Sequence, residues 1–259
     1  MVGIFSWYGY KGTFESRIRK IKQVGFNATS LWMGKEEDGW EQHCNEYPQI
    51  VRDFGLFLEY AHAPYRNANL LWDQYLCIDS EIEYKKAIDY CAKHQIPILV
   101  FHLVQGKKIS DVTEYGIKTL KVLVEYAKDS NVHLAAENTM QDQVLERTLA
   151  IITDKSFGLC FDSSHRNLER RNNYELLTNN QDRLMCIHLS DNLGISDDHY
   201  IPYTGSIDWS RFIEKFPQNY SGVFNLEVYP SSNEDEKEFL SKAYHSILRI
   251  EQQVIVMNK

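Results

Sequence analysis

Seven short apolar runs in this chain each lead to a side chain that can bind a metal ion. FLEYAH, PILVFH, VHLAAE and VFNLE are examples of these runs. The candidate ligands are His62, His102, Glu137, Asp162, His165, His188, Asp197, His199 and Glu227. One acid or histidine at a strand end is usually a solvated loop residue, but the repetition favours a common cause. We interpret the runs as parallel strands whose carboxyl ends meet at one site.

Helical segments separate the runs. In TFESRIRKIKQVGF, for example, Phe14, Ile18, Ile21 and Val24 recur at three- and four-residue spacing behind Thr13, a candidate N-cap. The strand-helix alternation occurs eight times, and the strands are too apolar for a sheet with one solvated face. Eight such units predict an α/β fold, a (β/α)8 TIM barrel. The alternative, a doubly wound open sheet, lacks a GxGxxG turn after the first strand and would not gather seven strand ends.

Length and composition agree with a barrel. The chain has 259 residues, and about 250 is typical of one TIM barrel, so we expect a single domain over residues 1–259. No apolar stretch approaches the roughly 20 residues that span a bilayer, and the first ten residues do not resemble a signal peptide. These observations predict a soluble cytoplasmic protein without a membrane partner. The five cysteines contain no CxxC pair, which argues against a disulfide framework or a thiolate zinc site.

A mixed set of carboxylate and imidazole ligands suits a borderline divalent ion better than a set made only of oxygen ligands does. Glu137 and Glu227, on the fifth and eighth strands, would approach the barrel mouth from opposite sides. Such a pair can hold an ion and leave an oxygen of each carboxylate free to move protons. We therefore expect a divalent metal ion at this site, with Mn²⁺, Co²⁺, Mg²⁺ and Zn²⁺ as the candidates.

Several motifs of the chain resemble those of the xylose-isomerase-like barrel superfamily, in the right order from the third to the eighth strand. The motifs are HAPY at 62–65, AAEN at 135–138, FDSSH at 161–165, HLSDN at 188–192, DDHYIPYTGSIDW at 197–209 and NLEVY at 225–229. The superfamily includes sugar-phosphate isomerases and epimerases, tagatose and psicose epimerases, and endonuclease IV. As a set the motifs are specific for the superfamily, but they are weak for any one activity.

The epimerase branch implies one ion held by Glu137, Asp162, His188 and Glu227. There, Glu137 and Glu227 would exchange a proton with the substrate carbon on either face of a metal-stabilised cis-enediolate. The resemblance also implies additional metal or substrate contacts from His62, His102, His165, Asp197 and His199. An inosose-dehydratase-like lyase would use the same metal and the same enolate chemistry, and a sugar sensor would bind without turnover.

The endonuclease branch implies up to three Zn²⁺ ions bound by the nine candidate residues, which would cleave DNA at abasic sites. Sugar chemistry is favoured because DDHYIPYTGSIDW looks like the DxHxxPGxGxIDW stretch of small isomerase-like proteins, departing from it at Tyr203 and Thr204. FDSSHRNLERR also lacks the pattern expected of the nuclease. A net charge of −8 weighs against nucleic acid as a partner. The arginine expected of the best-known epimerases is absent, since Gly194 stands there.

A small sugar or sugar phosphate is therefore the expected substrate. Trp7, Trp32 and Trp72 are candidates to stack on its apolar face. The loops Lys35–Asn45 and Arg66–Ile78 follow the second and third strands and are candidate lids. The oligomeric state is open, although barrels of this kind often pair through outer helices or mouth loops.

Overall fold

The eight predicted strands form one closed parallel barrel. A computed structural model describes residues 1–34, 44–106, 109, 111–169, 174–231 and 233–257. The strands are β1 Val2–Phe5, β2 Ala28–Trp32, β3 Phe57–His62, β4 Ile98–His102, β5 His133–Glu137, β6 Phe157–Asp162, β7 Leu184–Leu189 and β8 Phe224–Leu226. Each strand pairs with its neighbour in chain order, and β8 pairs with β1. The predicted (β/α)8 fold is confirmed.

Helices surround the barrel and connect its strands. They are α1 Phe14–Val24, α2 Tyr47–Asp53, α3 Cys77–Lys93, α4 Glu114–Asp129, α5 Asp142–Ile151, α6 Ser163–Leu168, α7 Glu175–Asn179, α8 Trp209–Lys215 and α9 Glu236–Met257. As predicted, Thr13 caps α1, because its hydroxyl accepts a hydrogen bond from the N–H of Ser16. Among the described residues, no helix combines the length and apolar character needed to cross a membrane.

Two apolar layers hold the barrel together. The larger layer lies between the strands and the helices, and the inward faces of the helices contribute to it, as Ile18 and Ile21 of α1 do. A smaller cluster fills the barrel, with Phe5 and Tyr60 packed edge to face at 5.8 Å between ring centroids. Cys160 and Cys186 belong to this inner cluster as free, buried thiols and pack there as small apolar residues.

Two local predictions need correction, and the segment YELLTNNQDRL forms α7 and a 3-10 turn at Gln181–Arg183 instead of one continuous helix. The predicted loop Arg66–Ile78 contains a 3-10 helix at Ala68–Trp72 and the first residues of α3. The eighth strand has only three residues, so Glu227 follows it directly instead of ending it. The other predicted lid, Lys35–Asn45, lies mostly outside the described residues.

Candidate active site

Four side chains converge at the carboxyl ends of adjacent strands. Glu137 and Asp162 end β5 and β6, His188 lies near the end of β7, and Glu227 follows β8. Asp162 and His188 are direct partners in the β6–β7 register. One ligand atom from each of the four residues lies within 4.8 Å of all the others. Parallel pairing thus gathers residues that are up to 90 positions apart in the chain, Glu137 and Glu227 being the extremes.

The four-residue cluster contains buried polar atoms that lack hydrogen bonds. Oδ2 of Asp162 and both ring nitrogens of His188 have no hydrogen-bond partner among the described residues. Nδ1 of His188 does lie 2.9 Å from Oε2 of Glu227, but not in hydrogen-bonding geometry. Buried polar atoms without partners cost free energy, and a bound cation would satisfy them. The oxygen and nitrogen donors of this cluster therefore fit a divalent metal ion.

The pKa values of the carboxylates in the cluster also favour a bound cation. Burial raises the pKa of Asp162 to about 6, and the carboxylates of Glu137, Asp197 and Glu227 add to the effect against the opposing His165. Burial acts in the same direction on Glu137, but His188 and His102 outweigh it, and the pKa of Glu137 falls well below its usual value. Several buried carboxylates therefore lie close together and need a compensating positive charge, and a divalent ion would supply that charge.

Two further imidazoles face Glu137. Nε2 of His62 lies 2.9 Å and Nε2 of His102 lies 3.1 Å from the same oxygen, Oε2 of Glu137. The other nitrogen of His62 contacts the carbonyl oxygen of Ala63 at 2.8 Å, so it must carry a proton. Burial lowers the pKa of His62, which favours the neutral ring with a bare Nε2 lone pair. A bare nitrogen facing a carboxylate oxygen is the arrangement of two ligands of one cation. His62, Glu137 and His188 form a second group that could hold a metal ion.

A third group surrounds Asp197. Its Oδ2 lies 3.1 Å from Nε2 of His165 and 3.2 Å from Nε2 of His199, and its Oδ1 accepts a hydrogen bond from the Ser164 hydroxyl at 2.7 Å. Burial lowers the pKa of His199, but Asp197 and Glu227 outweigh it and raise the pKa to about 9. The neighbouring carboxylates therefore favour the positively charged form of the His199 ring.

Asn138 links this machinery to the strands. Its Nδ2 donates to the carbonyl oxygen of Asp162 at 3.0 Å, and its Oδ1 accepts from the Asp162 N–H at 2.6 Å. Its own carbonyl oxygen lies 2.9 Å from Nδ1 of His165. The fully buried amide thereby extends the β5–β6 pairing by one step and fixes two site residues.

These residues open into a cavity of about 480 Å³ at the carboxyl end of the barrel. Its other walls are mainly aromatic, formed by Phe5, Trp7, Trp32, Tyr65 and Tyr229, with Gln105 adding an amide. The Trp32 ring packs against His62 and Tyr65, with both centroid distances at 5.2 Å. Flat apolar walls beside carboxylates and imidazoles match a polyhydroxylated ligand that has both apolar faces and polar edges.

Comparison with known proteins identifies the family. The sequence profile described as xylose isomerase-like TIM barrel matches residues 18–244. The chain belongs to this xylose isomerase-like family. A relative from Sinorhizobium fredii, the uncharacterized protein y4fM, is 26% identical over 192 residues. That match covers 66% of this chain but only 60% of the relative, so the chain spans less than two thirds of its length.

Solved structures agree on the fold. A D-tagatose 3-epimerase-like protein superposes with a TM-score of 0.78 at 18% identity, covering 99% of this chain and 98% of that one. The D-allulose 3-epimerase from Methylomonas sp. gives 0.79 at 16% identity, covering 96% and 97% of the two chains. At these identities the likeness establishes a shared fold.

The xylose isomerase-like barrel places most of the predicted site residues together. Trp7 and Trp32 line the cavity, as do seven of the nine predicted ligands, while the other two, Asp162 and His188, lie buried beneath it. Trp72 is placed elsewhere. It is buried, its indole N–H donates to the carbonyl oxygen of Leu103 at 2.7 Å, and its ring approaches Gly116. This location under the β4–α4 connection does not support the predicted substrate contact of Trp72.

Five lining residues were not singled out from the sequence, namely Phe5, Gly9, Tyr65, Gln105 and Tyr229. Two of them carried a signal, because Tyr65 closes HAPY and Tyr229 closes NLEVY. Phe5 ends β1, and its ring centroid lies 5.8 Å from that of His188. An aromatic residue in an apolar strand is usually interpreted as part of the core.

Proposed function

We propose that this protein is a divalent-metal-dependent epimerase or isomerase of a small sugar. The observation that carries the proposal is the double position of Glu137 and Glu227, which both line the cavity and belong to the four-residue cluster. A carboxylate that reaches the substrate can move a proton to or from carbon, and two of them can act on opposite faces. Epimerisation next to a carbonyl needs such a pair.

Glu137, Asp162, His188 and Glu227 would hold the ion, whose charge would acidify the carbon next to a substrate carbonyl. Glu137 and Glu227 act as base and acid at that carbon. His165 and His199 lie in the wall beside them as further metal or substrate contacts, and Trp7, Trp32 and Tyr65 cover the apolar face of the sugar and exclude water. The epimerase names of the structural neighbours, one of them solved with D-allulose, support a small sugar as substrate.

The test is proton exchange at carbon. D-Allulose, D-tagatose, L-ribulose and a set of sugar phosphates are incubated with the protein in D2O with added Mn²⁺ or Co²⁺, and deuterium incorporation and product are followed by NMR. We expect Glu137→Gln and Glu227→Gln to lose at least about 10³-fold in turnover because the proton acceptor is gone. The matched control is Glu15→Gln on the exposed face of α1, which removes a carboxylate that does not line the cavity. Turnover near the wild-type rate in Glu227→Gln contradicts the mechanism.

A multi-ion phosphodiesterase is the second candidate function. The observation that favours it is the grouping of His62 and His102 on Glu137 and of His165 and His199 on Asp197, in addition to the four-residue cluster. Three such groups can hold three ions, which together activate water and clamp a phosphodiester. Metal analysis separates the two: about one ion per chain supports the epimerase, whereas about three zinc ions, together with cleavage of an abasic-site duplex at low salt, support the nuclease.

A further inference from the structure

The loop between β7 and α8, residues 190–208, carries Asp197 and His199 into the cavity wall. Asp191 lies near the start of this loop and is fully buried. Its backbone forms an isolated antiparallel bridge with Tyr200, in which each N–H donates to the carbonyl oxygen of the other residue at 2.8 Å. The bridge returns the chain to the loop base immediately after His199.

The Asp191 carboxylate collects four further N–H groups of the loop and of the first residue of α8. Oδ1 accepts from the backbone N–H of Asn192 at 2.9 Å and of Ile207 at 3.1 Å. Oδ2 accepts from the backbone N–H of Tyr203 at 3.1 Å and from the Trp209 indole at 2.8 Å. Hydrogen bonds to a charged acceptor are stronger than neutral ones, and these four connect both ends of the loop to one buried point.

The loop backbone at Gly205 also packs directly against Asp191. A Cβ atom on Gly205 would lie 2.3 Å from Oδ1 of Asp191 and 2.5 Å from the carbonyl oxygen of Asn192. Only a residue without a side chain fits there, so the glycine and the carboxylate form one packed unit. Asp191 itself is covered by this packing and lies outside the cavity lining.

His199 also contacts the segment that carries Glu227. Nδ1 of His199 lies 3.0 Å from the carbonyl oxygen of Glu227, and the Tyr229 N–H donates to the carbonyl oxygen of His199 at 2.9 Å. The position of His199 is therefore fixed on one side by the segment that follows β8 and on the other side by the hydrogen bonds of Asp191. Asp197 is held in a similar way, because its Oδ1 accepts a hydrogen bond from the Ser164 hydroxyl.

We propose that Asp191 is a positioning residue, whose carboxylate folds residues 192–208 so that Asp197 and His199 form one wall of the cavity. The hydrogen bonds of Asp191 alone support its role in folding the loop. Its consequence for turnover rests on the proposed epimerase function, so the decisive measurement does not depend on activity.

The decisive measurement is backbone hydrogen exchange, followed by mass spectrometry, in Asp191→Asn and Gly205→Ala. The first variant puts an N–H₂ group where two N–H donors need an acceptor, and the second pushes the loop away from an intact carboxylate. Both should speed exchange in residues 192–206 by at least about tenfold and leave the barrel strands unchanged. The control is Asp198→Asn in the same loop, because the Asp198 carboxylate accepts only from the Ser196 hydroxyl in the described structure. It should stay within about twofold of wild type.

Two site readouts distinguish positioning from general destabilisation. Co²⁺ titration should give wild-type affinity within about threefold, because Glu137, Asp162, His188 and Glu227 are held by the barrel strands. The KM for D-allulose should rise at least about tenfold more than kcat falls, since a substrate wall is lost while the acid and base remain. Loss of Co²⁺ binding in both variants would mean that Asp191 supports the whole site, and would overturn the proposal.

Unchanged exchange in residues 192–206 of both variants also overturns the proposal, whatever happens to activity. If Asp191→Asn does not fold, Trp209→Phe removes one of the four donors and should speed exchange in residues 203–208 alone. A wild-type protein that binds no Co²⁺ or turns over no D-allulose would contradict the proposed function, while the exchange data would still decide the role of Asp191.

Discussion

The buried carboxyl of Glu59 makes the stability of this barrel depend on pH. Glu59 lies on β3 and only 4% of its surface is exposed. Its Oε1 accepts a hydrogen bond from the Val223 N–H at 2.7 Å, and its Oε2 has no hydrogen-bond partner among the described residues. Burial raises the pKa of Glu59 from 4.5 to about 8, against smaller opposing effects of that hydrogen bond and of His188. The folded protein therefore keeps Glu59 protonated at neutral pH.

The direction of the effect follows from proton binding. Between pH 4.5 and about 8 the folded state holds a proton on Glu59 that the unfolded chain has released. The unfolded state thus binds fewer protons, so this residue lowers the free energy of unfolding as the pH rises through that window, with no further loss above it. At about 1.4 kcal/mol per pH unit, the whole window corresponds to at most about 5 kcal/mol. Relaxation around the buried charge reduces this, and we expect about 2–4 kcal/mol between pH 5 and 8.

Glu59→Gln tests this reasoning, because the amide oxygen can still accept from Val223 while the ionisable group is gone. Urea unfolding of wild type and variant at pH 5, 6, 7 and 8 gives the free energy of unfolding for each. We expect the variant to gain on the wild type steadily as the pH rises. An unpaired amide N–H₂ group adds a constant penalty, so the change with pH is the quantity compared. The matched control, Glu15→Gln, removes a carboxylate that is 53% exposed. A difference between Glu59→Gln and wild type that is the same at pH 5 and pH 8 would refute the argument.

Three further predictions concern the cavity. Mn²⁺ or Co²⁺ at about 100 times its Kd should stabilise the wild type by about 3 kcal/mol and raise its Tm in a thermal shift assay, whereas Asp162→Asn should abolish the rise. An equal rise in the variant would place the ion elsewhere. Trp32→Ala should raise the KM for D-allulose about tenfold with little change in kcat, while Trp72→Phe should lower the Tm and leave KM unchanged because Trp72 lies in the core. The opposite pattern would reverse the two assignments. Asn138→Asp should weaken Co²⁺ binding about 10–100-fold, because it replaces the N–H that donates to Asp162 with an acceptor. Wild-type affinity, measured by calorimetry, would show that the β5–β6 strand pairing alone fixes Asp162.

The strand ends could be predicted from the sequence because a closed parallel barrel leaves little freedom in where they meet. Once eight apolar runs are recognised, the carboxyl ends share one face, and Glu137, Asp162 and His188 follow. Side chains that depend on local irregularity could not be predicted in this way. The β2–β3 register shifts between Thr29 and Leu31, so simple alternation along FLEYAH does not show that Glu59 is buried. Trp72 was misplaced for a related reason, since a tryptophan in a loop carries no sign of whether that loop folds inward.

The stretch DDHYIPYTGSIDW shows how one motif can combine scaffold and site. Its glycine at Gly205 and its tryptophan at Trp209 are explained by the Asp191 carboxylate, which excludes a side chain at the first and accepts the indole N–H of the second. Tyr203 stands where the pattern DxHxxPGxGxIDW has its first glycine, and its φ of +73° is in the left-handed region that favours glycine. Contacts outside the loop offset this strain, because the Tyr203 hydroxyl donates to Gln253 at 2.8 Å and the Arg249 guanidinium lies 4.0 Å from the ring centroid. A tyrosine at this position therefore attaches the loop to α9, and the departure from the motif at Tyr203 adds an anchor to the same wall that Asp191 holds.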